Sequence, residues 1–271
     1  MTTLADTQNQ PDDRQLPINR VGVKNLAYPI QVKDRDRERQ STVANVSLAV
    51  DLPHHFKGTH MSRFVEVLHS HGDCLDVREM ATIPRELLER LDADEAHVTF
   101  RFPFFRKKAA PVTGHVGMMD YHVTFDITTN SEGLDFIVIV EVPVTTLCPC
   151  SKAISARGAH NQRGLVTCAV RFTQPVWIED LIDVIEASAS SPLYSLLKRP
   201  DEKFVTEAAY DKPVFVEDLV RNVASSVSAL PDVTWFRVEA ENHESIHNHN
   251  AYAVIESPPE APGPDSSGRP G

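Results

Sequence analysis

The chain has 271 residues, of which 41% are hydrophobic and 24% charged, proportions of a globular protein that exclude wholesale disorder and a fibrous repeat. Lys plus Arg number 27 against 38 Asp plus Glu, a net charge of -11, which excludes a polyanion-coating surface; no nucleic-acid partner is expected, and any nucleotide must bind in a local pocket. No apolar run approaches the ~20 residues that cross a bilayer, and the start MTTLADTQNQPDDRQ lacks the basic and apolar regions of a secretory signal, so a cytoplasmic protein with no membrane partner is expected.

Residues 1–18 are polar and predicted to be a disordered tail. Alternation at Val46, Leu48 and Val50 predicts a half-buried strand, and helical spacing follows at Phe64, Val67 and Leu68. A second helix is read at Leu87, Leu88 and Leu91, after Pro84. Strands are predicted through Val98, Phe100 and Phe102 and through Tyr121, Val123, Phe125 and Ile127. The segment Leu134 to Val142 is apolar on both faces and reads as a central strand. Val166, Cys168, Val170 and Phe172 give a further strand, and Ile178, Leu181, Ile182 and Ile185 a helix. The most regular helical spacing runs from Val216 through Leu219, Val220, Val223 and Val227 to Leu230, followed by a strand at Phe236, Val238 and Ala240. The tail, residues 258–271, is rich in Pro, Gly and Ser and is predicted to be disordered. Strands and helices arrive in blocks, which indicates an α+β fold with antiparallel sheets. Two similar modules are expected, at residues 19–150 and 151–257, with a join near residues 143–163.

Chemistry concentrates in two stretches. The loop PVTTLCPCSKAISARGAHNQRG, residues 143–164, holds Cys148 and Cys150 on either side of Pro149, together with His160. This is not the Cys-x-x-Cys knuckle of structural zinc sites, so only one thiol need be a ligand; two reduced cysteines beside a turn are the simpler alternative. With Cys74 and Cys168 there are four cysteines, too few for a disulfide framework, and all are expected to be thiols. The second stretch, ENHESIHNHNA, carries His243, His247 and His249 with Glu241 and Glu244 as acidic neighbours. If the strand at AYAVI extends backwards, His247 and His249 share a face, suited to metal binding or proton transfer; a polar hairpin is the alternative. The segment 195–207, SLLKRPDEKFVTE, reads alone as a solvated helix end and loop. Glu217 lies in the first turn of the most regular helix, where a carboxylate also simply complements the helix dipole.

Taken together, GTHMSRF, PVTTLCPCSKAIS with GAHNQRG, LLKRPDEKFVTEAAYDKPVFVEDLVRN and ENHESIHNHNAYA resemble, in order and spacing, the prokaryotic GTP cyclohydrolases of type IB. The resemblance spans about residues 20–257 and implies a tunnelling fold, with tandem antiparallel sheets, each with helices packed on one face. It implies a homotetramer with active sites at subunit interfaces and GTP as substrate. The reaction implied converts GTP and water to 7,8-dihydroneopterin triphosphate and formate, at the start of folate and in some cases deazapurine synthesis. It places one divalent metal, Zn, Mn or Fe, on Cys148, His160 and Glu202, a set that leaves an open position as catalytic sites do. His247 and His249 become general acid/base candidates, and Cys150 a residue that positions the metal-bound water or substitutes as a ligand. Glu217 resembles the glutamate that anchors purines in tunnelling-fold enzymes, where one carboxylate can accept from guanine N1–H and the 2-amino group. Arg63, Lys152, Arg157 and Arg163 form the pool of triphosphate donors. Two competing readings are a relative of the nitrile reductases with Cys148 as covalent nucleophile, and a metal-buffering module without turnover.

Overall fold

The computed structural model describes residue 8, residues 12–72, residue 75 and residues 77–257. Cys74, the tail after residue 257 and most of the stretch before residue 12 lie outside the described residues. In chain order the elements are β1 (Ile18–Asp34), β2 (Glu38–Leu52), α1 (Met61–Ser70), α2 (Val77–Leu91), β3 (Ala96–Ala109), β4 (Val116–Asn130) and β5 (Gly133–Leu147). They continue with α3 (Pro149–Ile154), β6 (Asn161–Phe172), α4 (Ile178–Ser188), β7 (Ser191–Pro192), α5 (Arg199–Asp211), α6 (Val216–Ser228), β8 (Val233–Asn242) and β9 (Ala251–Glu256). Two compact units are distinguished: one runs up to Phe105 and includes His122–Val138, and the other holds Arg106–Tyr121 and the chain from Ile139 onwards. The division cuts through β3, β4 and β5, each of which contributes residues to both units.

In the first unit the strand order is β1-β2-β3-β4-β5. β1 pairs antiparallel with β2, and β2 with β3. The alternation of β2 sends Ala44, Val46, Leu48, Val50 and Leu52 into the core. Helix α1 covers β1 with Phe64, Val67 and Leu68, and α2 covers β2 with Met80, Ile83, Pro84 and Leu87. The sequence reading starts the second helix after Pro84, but the helix begins at Val77 and Pro84 lies inside it. Proline removes one helical hydrogen bond there; burial of three fully enclosed side chains, Met80, Ile83 and Leu87, outweighs that loss at ~1.5–3 kcal/mol each.

The second unit orders its strands β3-β4-β5-β6-β8-β9, with β7 paired to β5. β6 pairs antiparallel with β8, and β8 with β9. Helix α6 lies on β8 and β9 with Val216, Leu219, Val220, Val223, Ala224 and Val227 buried, and α4 packs beside it. The buried face of β6 runs Gln162, Gly164, Val166, Cys168 and Val170, so the core ends on a polar side chain at the start of the strand.

Segment 195–207, read from the sequence as a helix end and loop, instead opens the 13-residue helix α5. Its start is organised by Asp201, which is fully buried. The carboxylate accepts hydrogen bonds from Val112 N at 2.9 Å, Thr113 N at 2.8 Å, Thr113 Oγ1 at 2.7 Å and Lys198 N at 2.9 Å. Burial alone would push this carboxyl up, but the bonds from Thr113, Lys198 and Val112 outweigh it and hold the group below the usual carboxylate range. The mixed architecture is the α+β arrangement expected. Among the described residues no helix is long and apolar enough to cross a membrane.

Candidate active site

The site is built where β5 ends. Leu147 N donates to Ser190 Oγ at 3.0 Å, and Leu147 O accepts from Val214 N at 3.0 Å, so the residue before Cys148 is pinned to the segments that precede β7 and α6. Cys148 is the N-cap of α3: its Sγ accepts from Ser151 N at 3.4 Å, and Pro149 occupies the first helical position, where its missing N–H costs nothing. The loop from 148 to 160 is closed by Cys148 N donating to His160 O at 3.1 Å and by Ser151 Oγ, which donates to Cys148 O at 3.1 Å and accepts from His160 N at 3.2 Å. Gly158 supports the closure at φ +142°, a conformation that a side chain would strain. The structure therefore brings Cys148 and His160 together, twelve positions apart in sequence.

The His160 ring is half-buried, and its contacts gather on one nitrogen. Nδ1 lies 3.0 Å from Gln162 Oε1, 3.5 Å from Ser245 Oγ and 3.9 Å from Glu244 Oε2. Among the described residues nothing hydrogen-bonds Nε2. Gln162 is 7% exposed, and its Nε2 donates to the fully buried Thr146 Oγ1 at 2.9 Å. Next to it Gly164 gives way to Asn242: a Cβ at 164 would stand 2.7 Å from Asn242 Oδ1 and 3.4 Å from Val144 Cγ2.

The histidine-rich segment reaches the same corner, since His243 N donates to Arg163 O at 2.8 Å. The backward extension of the last strand does not occur: β9 starts at Ala251, and residues 243–250 form an irregular connection. His247 and His249 are nevertheless neighbours, stacked with ring centroids 5.1 Å apart at 16°. His249 Nδ1 faces Asn250 O at 3.3 Å, so it donates there and leaves Nε2 as acceptor. Asn250 is held in turn by Glu241 Oε1 at 2.6 Å.

Cys150 is exposed on α3. Lys152 is engaged already: its ammonium donates to Tyr210 O and lies 4.2 Å from the Tyr210 ring centroid, tying α3 to the end of α5. Arg157 and Arg163 are exposed, and their guanidinium groups have no partner among the described residues. Arg63 belongs to the first unit, where Nη1 donates to Arg90 O at 3.2 Å. Glu217 is exposed in the first turn of α6, and Glu202 is exposed in the first turn of α5 beside Asp201. Among the described residues no three His, Cys, Asp or Glu side chains gather closely enough to hold a metal ion. Of the three residues expected to hold a metal, Cys148 and His160 are joined through the backbone of their loop, and Glu202 does not gather with them.

Sequence reasoning passed over Ser151, Thr146, Gln162 and Asp201. For Gln162 a signal existed: it falls at an inward position of the alternating strand β6, where an amide demands a partner.

Comparison with known proteins gives the family. The type I GTP cyclohydrolase folE2 family matches residues 4–253. A GTP cyclohydrolase FolE2 of Akkermansia muciniphila is 64% identical over 259 residues, covering 94% of this chain and 98% of that protein. One from Magnetococcus marinus is 53% identical over 253 residues, covering 93% of this chain and 96% of that protein. Among solved structures, urate oxidase from Bacillus sp. TB-90 superposes with a TM-score of 0.53 at 8% identity, covering 88% of this chain and 99% of that one. At that identity the likeness speaks for the fold alone, which is the tunnelling fold. The chain belongs to the type I GTP cyclohydrolase FolE2 family.

Proposed function

We propose that this protein converts GTP and water to 7,8-dihydroneopterin triphosphate and formate in folate biosynthesis, using a divalent metal held by Cys148, His160 and Glu202. The observation that carries the activity is the family match over residues 4–253. The donor chemistry fits a metal: a cysteine sulfur and a histidine Nε2 without a partner among the described residues lie at the two ends of one closed loop, and the Glu202 carboxylate is likewise without one. When bound, the ion would activate water and polarise a formyl oxygen. Because the three donors do not gather in a single chain, assembly of subunits or the ion itself must bring Glu202 in. A cytoplasmic homotetramer with sites at its interfaces accounts for that.

The remaining roles fall to the chain's own side chains. Glu217 accepts hydrogen bonds from guanine N1–H and the 2-amino group, a pattern that adenine cannot offer, and so selects and orients the base. Arg157 and Arg163, exposed and unpaired among the described residues, supply cationic donors to the triphosphate in an acidic protein. Lys152, bound to Tyr210, must first leave that carbonyl to contribute. His247 and His249 move protons to and from the purine nitrogens and the ribose oxygen.

The test is incubation of purified protein with GTP and Zn²⁺ or Mn²⁺, with detection of formate and, after oxidation and dephosphorylation, of fluorescent neopterin. Both products, lost on chelation, are expected. Absence of both with every metal refutes the activity; turnover that survives a chelator refutes the metal and favours Cys148 as a nucleophile.

A further inference from the structure

We infer that Gln162 is a positioning residue that holds His160 as its Nδ1–H tautomer and so presents Nε2 as the bare, donating nitrogen. Its purpose rests on the reading of His160 as a metal ligand, but the tautomer itself follows from the buried contacts. Gln162 Nε2 lies 2.9 Å from Thr146 Oγ1, a hydroxyl that can pair with either end of the amide, so the choice of Oε1 towards the imidazole is made on the ring side, where the Glu244 carboxylate stands 3.9 Å from Nδ1. An amide oxygen only accepts, so the ring nitrogen 3.0 Å away must carry the proton.

The two other neighbours of Nδ1 agree. Ser245 Oγ at 3.5 Å can accept, and the Glu244 carboxylate at 3.9 Å places negative charge beside the same atom. The opposite orientation of the amide would put an N–H against Nδ1 and require a bare nitrogen lone pair to face that carboxylate. Sequence supports the arrangement at a lower level. Thr146 and Gln162 sit at inward positions near the adjoining ends of β5 and β6, so two polar residues in otherwise apolar alternations satisfy one another below the site. A histidine that donates one ring N–H to a fixed acceptor has its other nitrogen aimed and made more basic, the usual arrangement behind a metal-bound imidazole.

The experiment reads the ring directly. Long-range ¹⁵N–¹H spectra are recorded on metal-free full-length protein at alkaline pH. Through-bond correlation from the assigned backbone identifies the His160 ring signals, with His160→Gln as a check. The wild type is expected to show a protonated Nδ1 and a bare Nε2, and this spectrum is decisive whether or not any variant folds. Gln162→Met should mix the two tautomers, and Gln162→Glu, which keeps an acceptor at the same place, should restore Nδ1–H. Zn²⁺ affinity measured against a competing chelator should fall ~10–100-fold in Gln162→Met and recover in Gln162→Glu. An Nε2–H ring in the wild type overturns the inference, as does a Gln162→Met protein with unchanged tautomer and unchanged affinity. If the tautomers behave as expected but Zn²⁺ affinity is indifferent to Cys148→Ala and His160→Gln, the positioning role stands and the metal reading falls.

Discussion

Replacing Thr146 by Val removes one hydroxyl from a fully buried position and leaves the side-chain shape nearly unchanged, so it isolates a single hydrogen bond. Thr146 Oγ1 accepts from Gln162 Nε2 at 2.9 Å, and Gln162 is 7% exposed, so water is poorly placed to substitute. No cavity forms; the cost is the unpaired amide, ~1–3 kcal/mol. For a chain of this size that corresponds to a melting temperature lower by about 2–4 °C per kcal/mol. The assay is urea unfolding at fixed protein concentration, since an oligomer's stability depends on it, with an unchanged slope showing that the unfolded state is unaltered. Gln162→Met alone leaves the threonine hydroxyl unpaired, whereas Thr146→Val with Gln162→Met removes both partners. The double variant should therefore be more stable than the sum of the single losses by ~0.5–3 kcal/mol. Strict additivity, or a Thr146→Val protein as stable as wild type, would refute the buried hydrogen bond between Thr146 and Gln162.

Other expectations follow from the same geometry. Glu217→Gln should raise the apparent KM for GTP more than it lowers kcat; an unchanged KM removes the anchoring role. His247→Ala should keep its metal, by elemental analysis, and lose turnover, and loss of the metal instead would make His247 a ligand. The Asp201 carboxyl is lowered in the folded state, so its contribution to stability is complete above the ordinary carboxylate pKa, about 3.9, and is lost as pH falls towards the folded value. Asp201→Asn should accordingly be less stable at neutral pH and show a flatter acid limb, and unfolding midpoints that run parallel to wild type from pH 7 to 3 would contradict this. Burial pushes the Cys168 thiol up to about 12, whereas Cys150 is exposed. An alkylating reagent at about pH 8 should thus modify Cys150 in the folded protein and Cys168 only in denaturant; modification of both at equal rates would mean that the β6 core opens readily.

Much of the core could be read from periodicity because burial on a strand or helix face imposes it. Val46, Leu48 and Val50 on β2, and Leu219, Val220 and Val223 on α6, are buried as their spacing requires. The reading failed where tertiary contacts override local signals. Pro84 looked like a helix start, yet packing on both sides keeps it within α2. Segment 195–207 looked solvated because Asp201 is a charged residue, and only the distant turn at Val112 and Thr113 explains why that charge is buried and why α5 forms. At the site, the loop carrying Cys148 and His160 is conspicuous from composition, and His247 and His249 are neighbours although β9 does not extend back through them. The residues beneath were harder to see: Ser151 acts through backbone groups of its own loop, and Thr146 and Gln162 show in the sequence only as polar side chains at inward strand positions, with nothing to say that they pair with each other.

The central claim is that Cys148, His160 and Glu202 share one divalent ion, and X-ray absorption at the Zn edge of the stoichiometrically loaded protein tests it most directly. A single sulfur among otherwise nitrogen and oxygen neighbours is expected, with the sulfur lost in Cys148→Ala and one nitrogen or oxygen lost in Glu202→Ala. A spectrum with no sulfur, or one that Cys148→Ala and Glu202→Ala leave unchanged, would contradict the account.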